Sequence, residues 1–359
     1  VSTHLPNYRK RNDQLFFREY TIAEGEMYMK IVHASTEIAG QMGILCKELR
    51  KKDHQAAGYN TFHTYLNYQG EIINSDAFEI LKDLEFIVQK SDIIHFHNAN
   101  TFFYDFSDLG LLKKLGKKMV MHHWGSDVRT EKMVGSLNPY KLPPTYFSDE
   151  EIDRQLKIIS AHIDTAIVQD YEAYPYVKDY YKKVYVLPLA CNVEDFTVSY
   201  PSIDKENPLI IHAPTNRAFK GSDHIEAAIK KLRKKLKGKG KFTYQLLEKM
   251  SHDQALAKYR EADIIIDQLL CGTYGMFSVE AMAMGKPVVA FIRDDVRRKF
   301  PKDLPIVQAT PETLKDVLQD LIKNPKKRHD IGVASRKYVE TYHAAERVTD
   351  KLIKIYRKL

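Results

Sequence analysis

The 359-residue chain has few cysteines and no long apolar run, and each shortage removes a class of protein. Its three cysteines, Cys46, Cys191 and Cys271, stand far apart, odd in number and in no Cys-x-x-Cys spacing. That excludes a disulfide framework and points to thiols in a reducing compartment. No stretch approaches the ~20 apolar residues of a membrane-spanning helix, and residues 1–28 lack the apolar core of a signal peptide. The expected location is cytoplasmic, with at most peripheral contact at the inner membrane face. No Gly-x-Gly-x-x-Gly follows the first apolar run, which weighs against a dinucleotide oxidoreductase. No Asp-x-Asp pair is present either, so no metal requirement is expected.

A chain of this length fits two domains, and 44% apolar with 28% charged residues is a globular profile rather than a disordered one. Much of the net charge of +8 sits in the run Lys230 to Lys241. The plain reading is a solvated helix face with a basic last turn, closed by Gly238 and Gly240. The functional reading is weak attraction to anionic lipid head groups. Nucleic acid is not expected, because no aromatic interleaving or reader motif accompanies the charge.

From Met29 onward, short apolar runs alternate with helical patterns. Strands are expected at Met29–Ala34, Gln55–Tyr59, Asp92–His97, Lys118–His122, Thr165–Val168 and Val184–Leu187. The helices between them span Gln41–Lys52, Asp76–Gln89, Ser107–Leu115 and Asp149–Ala161. After a proline-bearing stretch the alternation restarts with strands at Leu209–Ala213, Lys241–Leu247, Asp263–Ile266 and Pro287–Ile292. Helices are expected there at Asp223–Leu236, His252–Glu261, Phe277–Met284, Pro311–Lys323, Lys326–Tyr342 and Ala344–Leu359. Runs this short argue parallel strands covered on both faces. The expected division is an extension over 1–28, an α/β domain over 29–190, a linker over 191–208, a second α/β domain over 209–335, and C-terminal helices over 336–359. Ligands of such sheets bind beyond the carboxyl ends of the strands, so the chemistry is sought there.

The sharpest motif runs from Asp267 to Ala290: a strand end, a glycine-bearing loop, and a helix starting near Gly275. Free amides of Met276 and Phe277 at that start suit a diphosphate. Glu280 lies one turn further, on an otherwise apolar helix where a lone carboxylate needs a partner. A ribose diol would serve; a carboxylate complementing the helix dipole is the structural reading. The second motif, His212 to Gly221, sets Arg217 and Lys220 past a strand end, where cations suit a leaving diphosphate; the alternative is surface charge. The third is the strand–helix turn Thr36 to Gly43, with Gly40 at its centre, which is weak by itself. Histidines gather at two more strand ends, at 95, 97, 122 and 123, before Trp124-Gly-Ser-Asp127. Without nearby cysteines or a second-shell signature no metal is assigned to them. His95 is expected to point away from His97, into the core.

The Asp267–Ala290 stretch resembles the donor motif of the retaining family 4 glycosyltransferases, in which two glutamates separated by seven residues precede a Glu-Ala-Met-Ala-x-Gly-x-Pro-Val helix. The resemblance spans 29–359 and is stronger in the second half. It implies the GT-B fold: two Rossmann-like domains facing across a cleft, with the C-terminal helices crossing back to the first. It also implies transfer from a nucleotide sugar, a UDP- or GDP-sugar, with retention, to a glycan, lipid-linked or small-molecule acceptor, with no cofactor. Glu280 matches the second glutamate, and Gly272 stands at the first. Lys220 and Gly221 match an Arg … Lys-Gly motif, with Arg217 at a shorter spacing. Gly40 matches one of a glycine pair. His123 takes the role of the histidine in a His-Gly-Thr/Ser-Asp turn, with Asp127 orienting the site. His123, Asp127 and Lys220 are thus the expected catalytic residues, and Gly40, Arg217, Lys220, Gly275, Met276, Phe277 and Glu280 the expected donor-binding ones. His97 and Asp267 are candidate contacts to the transferred sugar. A nucleotide-sugar epimerase on the same fold and a catalytically inactive nucleotide-sugar-binding protein remain open.

Overall fold

The computed structural model describes residues 28–62, 72–236 and 241–359. The expected extension, apart from Tyr28, and residues 237–240 of the basic run lie outside them. The described strands form two parallel sheets. The first holds β1 (Lys30–Ser35), β2 (Gln55–Asn60), β3 (Ile73–Asn74), β4 (Ile93–His97), β5 (Lys118–His123), β6 (Thr165–Val168) and β7 (Lys183–Val186). Their spatial order is β3-β2-β1-β4-β5-β6-β7. The second holds β8 (Leu209–His212), β9 (Thr243–Leu246), β10 (Ile264–Ile266), β11 (Val288–Ala290) and β12 (Val307–Gln308), in the order β12-β11-β10-β8-β9.

Alternate residues of each strand feed opposite cores, as the two-residue period demands. Val32, Ile94 and Met121 pack on one face of the first sheet, and Ile31, Ile93 and Val120 on the other. Burial on both faces explains why these strands read as unbroken apolar runs. Helix starts are set locally. Ser148 and Ser251 each form a capping box, with Glu151 and Gln254, so that side chains satisfy amides of the first turn. The two-residue strands β3 and β12, the helix Glu131–Leu137 and several four-residue helices were not expected from the sequence, because they carry too few residues to show a period.

The chain passes between the sheets twice. Cys191 and Ala344 form an isolated parallel bridge, with the Cys191 amide 2.7 Å from the His343 carbonyl oxygen. The helix Pro325–Tyr342 belongs to the second unit, packing on Met276–Ala283. The division expected at 335/336 falls inside this helix, and the chain turns back only at His343. The helix Ala345–Tyr356 then lies on Gln41–Lys51 of the first unit, where Leu352 and Tyr356 join Ile31, Leu45 and Ile93. No helix of the described residues is long and apolar enough to cross a membrane.

The contact under Pro325–Tyr342 depends on a missing side chain. A Cβ at Gly332 would stand 2.3 Å from the Gly285 carbonyl oxygen and 3.2 Å from Pro201 Cδ. Gly332→Ala is therefore expected to destabilise the protein by about 1–3 kcal/mol, the usual cost of overpacking. Denaturant unfolding measures it, and an unchanged midpoint would show that the helix yields without strain.

Candidate functional site

Asp267 follows the apolar strand β10 and is fully buried, so its carboxylate must be paired. Lys220 supplies the charge, with Nζ 2.6 Å from Asp267 Oδ1 and 2.8 Å from Gln268 Oε1. The other oxygen accepts from the Ser278 hydroxyl at 2.6 Å and the Gly275 amide at 3.3 Å. Burial opposes ionisation, but Lys220 and these donors win, and the carboxyl titrates below its usual range. Asp267 thus anchors the start of the helix Met276–Ala283 and aims Lys220 at it. Both of its oxygens are engaged and neither reaches solvent. An ammonium has three donors. Two are engaged here, which leaves one for a ligand.

Glu280, one turn into that helix, is nearly buried and pairs with His252 Nε2 at 2.7 Å. Burial disfavours a charged His252, yet the hydrogen bond to Glu280 prevails and raises its pKa. Sequence reasoning missed His252, although the Ser251 capping box places it at a helix start. From the first sheet, Gly40 takes a left-handed conformation, φ 77°, that glycine adopts without cost. The next residue, Gln41, reaches Met276 Sδ at 3.5 Å and clasps the Ala190 backbone through both amide atoms. The structure therefore brings Gly40, Lys220, Gly275, Met276 and Glu280 to one region. A Cβ built on Gly275 would sit 3.8 Å from Lys220 Nζ.

Other expected site residues do not join it. Arg217 is about one-third exposed and faces Asp223, Glu226 and Glu248 at 3.1–3.5 Å, a surface cluster. His123 is fully buried, with Nδ1 2.7 Å from Asp127 and Nε2 2.8 Å from the Tyr181 hydroxyl. Both ring nitrogens are engaged, by Asp127 and by Tyr181. Asp127 also accepts from the Trp124 and Gly125 amides at 3.0 and 2.9 Å, so it shapes the turn. The position directly before Gly125 is filled by Trp124, which stacks on His122 at 4.0 Å. His97 is fully buried, its Nε2 3.0 Å from His33 Nδ1. His95 does not point away from His97. Residues two apart on a strand share a face, and their rings stack at 4.4 Å and 3°.

The departure at Gly272 has a steric cause. Its φ is 90°, and a Cβ there would fall 2.6 Å from Arg293 Cγ. Beside Arg293 lies Glu172, a buried carboxylate from the first unit, at 3.9 Å. Glu172 is held by Arg129 through Nε and Nη2, and Asp170 accepts from the Thr273 hydroxyl at 2.7 Å. Burial and the neighbouring Glu172 push the Asp170 carboxyl up to about 6. Asn138 adds bonds to the Leu270 and Cys271 carbonyl oxygens. The Leu270–Thr273 loop is thus pinned by the first unit. Next to this seam, a cavity of about 910 Å³ is lined by Ser126, Asn138, Tyr140, Tyr146, Asn216 and Phe219, among others.

Two parallel sheets with a C-terminal helix returned to the first define the GT-B fold. Among solved structures of this fold, the chain is similar to sucrose-phosphate synthase from Thermosynechococcus elongatus (14% identity, 92% of this chain and 98% of that one, TM-score 0.61). It is also similar to HepE from Anabaena in complex with UDP-glucose (14% identity, 92% and 100%, TM-score 0.62). A third is the catalytic domain of starch synthase IV from Arabidopsis thaliana bound to ADP and acarbose (12% identity, 92% and 99%, TM-score 0.57). At such identities the likeness establishes the fold. No family model and no curated protein matches the sequence.

The buried Lys220–Asp267 pair makes a structural prediction of its own. Removing one partner strands a charge, so Lys220→Ala should cost about 3–5 kcal/mol of stability. Much of this should return in the double variant with Asp267→Asn, giving a large coupling in a double-mutant cycle. Additive losses would mean that the two side chains are held independently.

Proposed function

We propose that the protein is a retaining glycosyltransferase that takes a sugar from a UDP- or GDP-sugar and needs no metal for the transfer. The observation that carries this reading is the meeting of Lys220 with a helix start at Gly275. A fixed cation and helix amides together suit a diphosphate that gains charge as its bond to the sugar breaks. Asp267 keeps the ammonium in place, and its remaining donor serves a phosphate oxygen. Glu280, oriented by His252, takes the ribose hydroxyls. The acceptor, a glycan or a lipid-linked or small molecule, lies over the first unit, in the cavity beside Phe219. With no carboxylate placed as a nucleophile among the described residues, the leaving phosphate oxygen accepts the acceptor's hydroxyl proton on the same face. The chain then divides into an acceptor unit and a donor unit at the double crossing near Cys191 and Ala344. HepE is solved with UDP-glucose and with UDP, and starch synthase IV with ADP, which supports a nucleotide-sugar donor.

A second reading, a nucleotide-sugar-binding protein without transfer, is favoured by Gly272 and by the complete burial of Asp267. One experiment separates the two. A thermal-shift panel of nucleotide sugars identifies the donor, since binding to the native state raises the melting temperature by mass action. Hydrolysis and transfer are then assayed with that donor. Transfer supports the first reading, and binding without turnover supports the second. Absence of a shift with any nucleotide sugar overturns both. Glu280→Gln is expected to weaken donor affinity about tenfold, the scale of one lost hydrogen bond to a charged group. Calorimetric titration reads this. Unchanged affinity with a lowered melting temperature would make Glu280 a partner of His252 alone.

The proposal extends to a weak membrane contact. Lys230, Lys231, Arg233, Lys234 and Lys235 are all exposed on the helix Ser222–Lys235. Clustered cations near an anionic surface contribute roughly 1 kcal/mol each and are screened by salt. Co-sedimentation with phosphatidylserine vesicles is expected at low salt and should vanish when Lys234 and Lys235 become Glu. Equal binding by both proteins would discard the patch.

A further inference from the structure

Four imidazoles that the transfer reaction does not use fill the buried face between β1, β4, β5 and the helix Ala345–Tyr356. His33, His95 and His97 are fully buried and His122 is 1% exposed. The strand register accounts for the grouping. His33 lies beside His95, and His97 beside His122, while His95 and His97 share a face. His33 Nδ1 is 3.0 Å from His97 Nε2, and His95 Nε2 is 3.2 Å from His122 Nδ1. The opposite nitrogens of His33 and His95 meet one oxygen, the Tyr356 hydroxyl, at 3.1 and 2.6 Å. His97 Nδ1 and His122 Nε2 have no hydrogen-bond partner.

Burial holds these rings uncharged, His33 down to about 3 and the others well below the ordinary histidine value. A neutral imidazole offers one lone pair and one N–H. A histidine bound to a metal through one nitrogen commonly donates the other N–H to an oxygen, which fixes the tautomer. Tyr356 is placed to receive that proton from two of the rings at once. His33, His95 and His97 each bring a ring nitrogen within 4.8 Å of the others. No other such group of histidine, cysteine or carboxylate ligands occurs among the described residues.

We propose that His33, His95 and His97, with His122 beside them, form a buried structural site for one divalent transition-metal ion, zinc in the first instance. An all-imidazole set suits zinc, cobalt, nickel or copper and not magnesium or calcium. Tetrahedral zinc at about 2.1 Å from each nitrogen sets those nitrogens about 3.4 Å apart. The His33–His97 pair is already near that spacing. The stacked His95 ring has to turn about χ2, a torsion with a broad well in histidine, to aim its lone pair at the same point. The rings are buried and none of them is a partner of Lys220, which bonds Asp267 and Gln268, so the ion would tie β1 to β4 beneath the returning helix and take no part in transfer.

The test uses the full chain purified without chelator from cells supplied with zinc, and metal content is read by elemental analysis. The expected content is about one zinc per chain, with a fall in melting temperature when a chelator removes it during unfolding. Cobalt(II) refolded into the apo chain should show the visible bands of a tetrahedral nitrogen site. His97→Gln is expected to lower metal affinity at least ~10-fold with an unchanged far-ultraviolet spectrum. His224→Gln, an exposed control, should retain the metal. If His97→Gln fails to fold, the content of the parent chain decides. Less than about 0.1 equivalent of metal, with no cobalt spectrum, overturns the site, and so does equal loss in His224→Gln. Neither readout involves donor binding, so the result is independent of the proposed transfer activity.

Discussion

A buried carboxylate at the end of a central strand cannot stand alone, and the second unit is organised around that requirement. Asp267 takes its countercharge from Lys220, which lies beyond the neighbouring strand β8. The pair therefore fixes the distance between two loops that the chain itself leaves 47 positions apart. The same carboxylate receives the Ser278 hydroxyl and the Gly275 amide, so the helix start is set by it as well. Gln268 extends the arrangement by donating to the Thr273 carbonyl oxygen at 2.5 Å. A buried ion pair of this kind adds little net stability over an apolar pair, but breaking it is costly. Its contribution is definition: one lysine, one loop and one helix start in a single geometry.

The seam between the units follows a similar rule with more partners. Arg129 and Arg293 converge on Glu172, and Thr273 and Asn138 satisfy polar groups across the boundary. The loop at Leu270–Thr273 must then pass close to Arg293, and glycine is the residue that fits a φ of 90° there. The absence of a carboxylate at position 272 and the presence of one at 172 are two sides of one packing solution.

The fold was largely legible because it rests on periodicity. Thr165–Val168 and His252–Glu261 could be bounded to the residue, and most other elements to within one or two positions. The meeting of the elements that make the candidate site was legible where a motif and a backbone device coincide, as at Gly275 and Lys220. It was illegible where partners come from afar. Nothing adjacent to Glu280 announces His252, and nothing near His123 announces Tyr181, which occupies its second nitrogen. The histidine cluster was half visible. The two-residue period already places His95 and His97 on one face, so the expectation that they diverge was a misreading of a clear signal. His33 and Tyr356 entered only through strand order and the returning helix, which no local pattern states.

That returning helix has a consequence for synthesis. Tyr356 completes a core whose other members, such as Ile31 and His33, leave the ribosome more than three hundred residues earlier. Chains usually fold unit by unit from the first end as they emerge. Here the first sheet must wait, with the part of one face that the helix Ala345–Tyr356 covers left open beside Gln41–Lys51, until the whole second unit has been made. The nascent chain is then most open to aggregation and most in need of a chaperone during that interval, and the second unit, though later in order, is the first that can close its own core.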